Sequence, residues 1–247
     1  MPLVSVVIPC RNEEENIAET LLGIQKEFER NKIEYEIVVV NDGSTDNTEA
    51  VIRKLGQSDA RIRLVSNNPP HGIGNAIKCG LDEYKGDYVI VAMADASDDP
   101  KDMVSFVREI QKGFDCCFGS RWQNGAIVKN YPRFKFILNR LTNCFISLIF
   151  KCRYTDVTNA FKCYSRETIE GIKPIMSHHF NVTVELPLKA IVRGYRYSVI
   201  STNWRGRKYG VSNLCIQEMG SRYLFIMLYL WLEKMLSKGD YRKRQKK

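Results

Sequence analysis

Five apolar runs, each closed by turn residues, set the rhythm of the chain's first half. Leu3–Pro9 is a β-branched run stopped by proline, and Tyr35–Val40 is a second continuous apolar run. Both read as strands buried on two faces. Arg61–Ser66 alternates, as a third strand does. Tyr88–Met93 and the short Cys116–Ser120 complete the set. Between them the period changes to that of helices. Glu13–Phe28 is one, with Asn12 as its expected N-cap and acidic residues in its first turn. A second runs to about Leu55 behind the turn Asn41–Asp46, with Asp46 as its expected cap. Asn75–Tyr84 is a third, and Pro100 opens a fourth that reaches about Lys112. Strands alternating with helices at this spacing predict an α/β fold, a mostly parallel sheet flanked by helices on both faces.

The pattern shifts after Arg121. Residues 123–130 are polar and loop-like. Arg133–Phe150 carries apolar residues at 134, 137, 138, 141, 145, 148 and 149, with Arg133, Lys135, Asn139 and Arg140 on its other side, which predicts an amphipathic helix. Short strands near 160–164 and 195–203 flank a helix over Val182–Val192. A last helix, Leu214–Leu236, leads into a basic tail. The expected organisation is a domain over 1–214, with the amphipathic helix at about 133–150, and a membrane-associating C-terminal helix and polybasic tail over 215–247.

Composition narrows the classes. At 44% hydrophobic, the 247 residues can bury a sizeable core, and a net charge of +9 suggests an anionic partner. The 8 cysteines are irregularly spaced with no Cys-x-x-Cys pair and no secretory leader, which argues for reduced thiols in a cytoplasmic setting and against zinc. His71, His178 and His179 form no spaced ligand set. The longest apolar run, Tyr223–Leu232, is shorter than the roughly 20 residues a spanning helix needs. Aromatic residues there and the basic residues after it suit a peripheral location on anionic lipid, the cytosolic face of a membrane being the expected one. The amphipathic helix over 133–150 suits the same surface; the alternative for both helices is packing on the core or on a partner chain, a small membrane subunit being one such partner for the second. No nucleic-acid-binding signature is present, and acidic strand ends would repel a phosphate backbone.

The candidate chemistry sits where apolar runs end. Tyr88–Ala94 stops in Asp95, followed by Asp98, Asp99 and Pro100. A carboxylate at the carboxyl end of a parallel strand lies where ligands bind in such sheets, and it can hold a divalent metal against a diphosphate. Pro9-Cys-Arg-Asn12-Glu13 follows the first strand and Asn41-Asp42-Gly-Ser-Thr-Asp46 the second. Their carboxylates can accept hydrogen bonds from a base or a ribose hydroxyl, while Asp42 and Asp46 can equally be turn and cap residues. Neither G-x-G-x-x-G nor a phosphate-binding G-x-x-x-x-G-K-[ST] loop is present. Gly72-Ile-Gly74-Asn75-Ala76 allows backbone to approach a ligand closely.

Taken in order, Pro9-x-x-Asn12-Glu13, Asp42-Gly-Ser-Thr-Asp46, Gly72-x-x-x-Ala76, the acidic strand end at Asp95, Gly119-Ser120-Arg121, Asp156-Val-Thr-Asn-Ala-Phe161 and Arg207-x-x-Gly210-x-Ser212 resemble the inverting family 2 glycosyltransferases of the Rossmann-like GT-A fold, and within them the dolichol-phosphate mannosyltransferase branch. The resemblance covers roughly residues 3–214. It implies a nucleotide-sugar donor, GDP-mannose favoured, a polyprenyl or dolichyl phosphate acceptor, and Mg²⁺ or Mn²⁺. By analogy, Pro9, Asn12, Glu13, Asp42, Gly72, Asn75 and Ala94 would cradle the nucleotide. Asp95 would ligate the metal, with Ser97 as a further candidate. Arg121, Arg133, Lys135, Arg207 and Ser212 would gather the acceptor phosphate, and Asp156 would orient the acceptor or a basic partner. Asp95, Asp156 and Arg121 are the expected catalytic set.

Two positions depart from the pattern. The usual D-x-D reads Met93-Ala94-Asp95, and methionine is no ligand for a hard cation. Asp98 and Asp99 either compensate or only cap the next helix. An acceptor-phosphate arginine falls nearest Lys135, which is a point charge and not a fork. A hydroxyl acceptor would need a general base, whereas a phosphate monoester arrives already charged. Asp156 and Glu185 are the attractive carboxylates between 150 and 200, so a phosphate acceptor is favoured. Transfer to a hydroxyl in polysaccharide or glycolipid synthesis, and a catalytically weak homologue permitted by Met93, stay open.

Overall fold

A computed structural model describes residues 2–207, 209, 216–237 and 239–243. The chain runs β1 (Val4–Cys10), α1 (Ile17–Arg30), β2 (Tyr35–Asn41), α2 (Thr48–Ser58), β3 (Ile62–Ser66), α3 (Ile73–Glu83), β4 (Tyr88–Val91), α4 (Pro100–Gln111) and β5 (Cys116–Ser120). It continues through β6 (Val128–Lys129), α5 (Arg133–Phe150), β7 (Lys162–Ser165), α6 (Arg166–Ile172), α7 (Val182–Val192), β8 (Tyr197–Ser201), β9 (Trp204–Arg205) and α8 (Ile216–Leu236). Seven strands form one sheet in the order β3-β2-β1-β4-β7-β5-β8, and β6 pairs with β9 apart from it.

β1 and β2 are buried at every position, as continuous apolar runs in a parallel sheet require. Their alternate residues feed two cores, one on each face. Val4, Val6 and Ile8 pack with α1 and α4 residues such as Ile24 and Phe106, while Val7, Val38 and Val40 pack with α3 and α7 residues such as Ile77 and Leu188. α8 joins the second core through Ile226, Met227 and Leu230.

β7 is the exception to the parallel rule. It runs antiparallel to both β4 and β5, with Val91 opposite Lys162 and Phe118 opposite Lys162 from the other side. Because it enters the sheet from the carboxyl edge, the segment before it, Asp156–Ala160, lies at the edge where β4 and β5 deliver Asp95 and Arg121. Gly119 makes that approach possible: a Cβ there would stand 2.9 Å from the Phe161 carbonyl and 2.8 Å from Thr202.

Two helix starts differ from expectation. α1 begins at Ile17 and not at Glu13, because Asn12 has a positive φ of 54° and the backbone N–H groups of Glu13 and Glu14 donate to Thr48 and Asp46 side chains. α2 has Asn47 at its N-cap, although Asp46 Oδ1 still accepts from the Thr48 N–H. Asp99 does cap α4, accepting from the Lys101 N–H behind Pro100.

α5 has its faces reversed relative to a core-packing helix. It buries Asn143, Ile146 and Phe150, and leaves Phe134, Ile137, Leu141, Phe145 and Leu148 exposed, Leu148 at 76%. α8 likewise exposes Leu224, Phe225, Leu228 and Leu236. Among the described residues no helix is long and apolar enough to cross a membrane.

Candidate active site

The loops after β1 and β2 close one side of the cleft. Asn12 Oδ1 accepts from the Thr45 N–H at 2.8 Å, and the Asn12 N–H donates to Ser44 Oγ. The two sequence motifs therefore form one cradle. Asp42, 4% exposed, accepts from the Gly72 N–H, Asn67 Nδ2 and His71 Nδ1. It secures the loop before α3. Gly72 has φ 150° there, and a Cβ would meet the His178 carbonyl at 2.6 Å, so only glycine fits. Asn75 is held between the Pro70 carbonyl and His178 Nδ1. Pro9 is buried inside β1.

The acidic corner follows β4. Ala96 takes a positive φ of 55°, unusual for a residue with a Cβ. Thr20 of α1 holds the turn: its hydroxyl donates to the Ala94 carbonyl and accepts from the Ala96 N–H. Asp95 Oδ1 accepts from the Ser97 N–H, and Oδ2 receives Arg207 Nη2 at 2.9 Å. The same guanidinium reaches Glu13 Oε1 through Nη1 at 3.5 Å. Burial raises the Glu13 carboxyl above its usual range, against hydrogen bonding from Asn16 and the charge of Arg207. Arg207, expected from the sequence near the acceptor phosphate, sits on the acidic corner because Arg205 N–H donates to the Ser97 carbonyl and Asp98 bridges to Trp204.

Asp98 is half-buried and its Oδ2 accepts from the Met93 N–H. Burial, then the neighbouring Asp95, push its carboxyl up to about 7. Its folded value thus lies above the unfolded one of 3.8, so the folded chain holds the proton more tightly between those limits. Asp98 costs nothing below about pH 4, and its cost grows as pH rises to about 7. Asn keeps an oxygen for Met93. Asp98→Asn in metal-free protein is therefore expected to melt with wild type at pH 4 and several degrees above it at pH 8. Equal melting temperatures at pH 8 would contradict this.

The other half of the site is built on Arg121. Its backbone N–H and Nε donate to Asp156 Oδ2, both at 2.9 Å, and Nη2 donates to Oδ1 at 2.8 Å. The Asp156 side chain is wholly buried. The guanidinium lies 5.5 Å from the ring centres of Trp122 and Tyr131. Asn139 of α5 accepts from Trp122 Nε1 and donates to Thr158, which fixes α5 over the Asp156 segment. Between them lies a cavity of about 250 Å³ lined by Arg121, Tyr131, Lys135, Thr158, Phe180 and Tyr223 among others. Arg121 and Lys135 thus share one pocket. Arg133 is exposed at the start of α5, outside that lining, and Ser212 lies outside the described residues.

Sequence reasoning passed over Lys162. It is 1% exposed, its ammonium donates to the carbonyls of Val157 and Thr183, and burial lowers it to about 7, with Asp156 opposing. It ties the Asp156 segment to α7. The signal for it was a lysine inside an apolar run, Phe161-Lys-Cys163-Tyr. Glu185, the other carboxylate considered as a base, accepts from the Met176 and Ser177 N–H groups and pairs with Lys189 at 2.6 Å, both side chains fully buried.

A divalent cation suits the acidic corner. Among the described residues no three side chains form a ready-made cage. Mg²⁺ needs none, since it keeps waters and takes one or two carboxylates beside substrate phosphates. Asp95 supplies one such carboxylate, at 7% exposure.

One edge of the α/β sheet thus carries the joined loops of Asn12 and Asp42, the acidic corner at Asp95 and the basic pocket at Arg121. Residues 5–171 match the profile of glycosyl transferase family 2, and the chain belongs to that family. It is 27% identical to the polyprenol monophosphomannose synthase of Mycolicibacterium smegmatis over 215 residues, 85% of this chain and 80% of that one. Glycosyltransferase AglD of Haloferax volcanii is 26% identical over 81% of this chain, which spans only 33% of that protein. Among solved structures, glucosyl-3-phosphoglycerate synthase from Mycobacterium tuberculosis, in complex with Mn²⁺ and UDP-glucose, superposes with a TM-score of 0.70 at 18% identity, covering 94% of this chain and 79% of that one. The same protein has been solved with Mg²⁺ and UDP. The fold is GT-A.

Proposed function

We propose that the chain transfers a hexose, mannose before others, from a nucleoside diphosphate sugar to a polyprenyl phosphate with inversion, on a membrane surface. The observation that carries this reading is the pocket holding Arg121 and Lys135, which adjoins the exposed apolar residues of α5. Cations at its floor suit a phosphate, and the apolar faces of α5 and α8 suit the chain attached to it. The polyprenol-dependent relative supports the same acceptor class. Asp156 and Glu185 are each taken up by a basic partner, so neither stands ready as a base for a hydroxyl acceptor. A phosphate monoester needs none. Bound metal at Asp95 would neutralise the leaving diphosphate. The chain's own part is to hold the base and ribose between the Asn12 and Asp42 loops and to position the acceptor phosphate near Arg121.

In this reading residues 1–214 are the catalytic unit and 215–247 fasten it to the cytosolic face of a membrane. The test is incubation of the protein with Mg²⁺ or Mn²⁺, polyprenyl phosphate and, in turn, GDP-mannose, UDP-glucose or UDP-N-acetylglucosamine. A lipid-linked sugar from one donor is expected, and none from any would refute the reading. The membrane part has its own check. Leu141→Glu with Leu148→Glu is expected to weaken sedimentation with anionic vesicles about tenfold or more, each buried leucine being worth roughly 1.5–3 kcal/mol. Transfer to a short, water-soluble polyprenyl phosphate is expected to persist. Unchanged sedimentation would remove α5 from the membrane surface.

A further inference from the structure

The acidic corner lacks one carboxylate of the D-x-D pattern, since Met93 stands at its first position. The neighbours in sequence do not qualify. Met93 offers no oxygen from its side chain. Asp98 is engaged locally, with Oδ2 on the Met93 N–H. Asp99 is engaged twice, as the cap of α4 and as acceptor from Asn203 Nδ2. Ser97 is 4% exposed and sits in the turn whose N–H steadies Asp95.

Glu13 comes from the other side of the cleft. Its Oε2 accepts from Asn16 Nδ2 at 2.8 Å, which leaves Oε1 toward Arg207. Asp95 repeats the arrangement, with Oδ1 on the Ser97 N–H and Oδ2 toward Arg207. Each carboxylate is oriented through one oxygen and presents the other to the same cation. Outer hydrogen bonds of this kind are what orient metal-binding carboxylates. The two nitrogens reached, Nη1 and Nη2, belong to one planar fork, so a single positive group lies between Glu13 and Asp95.

We propose that Glu13 is the second carboxylate of the metal site, taking over from the aspartate replaced by Met93, and that Arg207 holds the cation position until the metal arrives with the donor. This rests on the reading of Asp95 as the metal corner. One or two carboxylates, diphosphate oxygens and water complete what Mg²⁺ or Mn²⁺ requires. Arg207, once exchanged, is a fork suited to the donor's phosphates. Glu13 thus leaves the base-and-ribose cradle for the diphosphate end of the donor.

The test is manganese binding, read by the electron paramagnetic resonance signal of free Mn²⁺, on the full chain with GDP and with UDP in turn. In the nucleotide complex, Glu13→Gln is expected to weaken Mn²⁺ by about tenfold or more, the scale of losing a ligand or its support. Asp95→Asn should weaken it as well, whereas Asp98→Asn and Ser97→Ala should bind as wild type. Nucleotide affinity of Glu13→Gln in EDTA should stay at the wild-type value. In nucleotide-free protein, Arg207→Met should bind Mn²⁺ more tightly than wild type, since the competing cation is gone. Wild-type Mn²⁺ affinity in Glu13→Gln, or an equal loss of nucleotide in EDTA, would overturn the assignment of Glu13. Unaltered nucleotide-free Mn²⁺ binding in Arg207→Met would overturn the exchange. Unaltered binding in Asp95→Asn would instead sink the metal corner itself.

Discussion

Asp156→Ala is expected to lose about 3–5 kcal/mol of stability, because it leaves a buried guanidinium without its counter-charge. Arg121 presents a backbone N–H and two side-chain nitrogens to this carboxylate, and its own side chain is 10% exposed. A domain of this size has roughly 5–15 kcal/mol in total, so the variant would be partly unfolded at growth temperature. The loss has a second face. Asp156 sets the direction of Arg121 beneath the basic pocket, and without it the guanidinium turns away from any acceptor phosphate. The double variant Arg121→Met with Asp156→Leu separates the two roles. Replacing a buried ion pair by apolar residues of similar size is often neutral for stability. Urea denaturation should therefore show the single variant strongly destabilised and the double one largely restored, with transfer activity absent from both. Activity in the double variant would remove the pair from acceptor handling, and wild-type stability in Asp156→Ala would show that the carboxylate is not what compensates Arg121.

The sequence made the parallel half of this sheet legible, since runs such as Leu3–Pro9 and Tyr35–Val40 can only be strands buried on both faces. It could not announce that β7 turns against its neighbours. A strand's side-chain period is the same in either direction, and the direction here is set by the path of α5 and the loop that follows it. The helix over Arg133–Phe150 was legible as a helix, and its bounds as well. What would hold it in place was not. Burial is decided by Asn139 and Asn143, whose amides bond to Trp122 and Thr158, and the stronger apolar stripe is left outside. The site shows the same division. Asp95 and Asp42 could be found from runs that end in acid. The junction of Arg207 with Asp95, 112 positions apart, follows from β9 docking beside Ser97 and has no local signature. Ala96 hid the tight turn at the strand end, because a positive φ is expected of glycine or asparagine.

Asp95→Asn is expected to lower transfer about a thousandfold while leaving the fold in place. The substitution keeps an oxygen for the Ser97 N–H and nearly the same volume, so the turn held by Thr20 has no reason to move. What disappears is the formal charge that pairs with Arg207 and that the proposed metal would use. Arg207 lies there now, with its own side chain 27% exposed, so solvent screens its ion pair with Asp95 and little stability rests on it. Melting should shift by no more than a few degrees. The reacting bond feels the change directly. In the proposed reaction a metal held by Asp95 would neutralise the charge growing on the leaving diphosphate, and a weaker hold on it would cost several kcal/mol, each 1.36 kcal/mol being about tenfold in rate. Steady-state transfer with saturating metal is the measurement. A fall in kcat with a near-native melting curve supports the role, and full activity would remove it. If raised Mn²⁺ recovers part of the rate in Asp95→Asn but none in the Glu13→Gln, Asp95→Asn double variant, the two carboxylates act on one ion. That behaviour is what the single guanidinium between them leads one to expect.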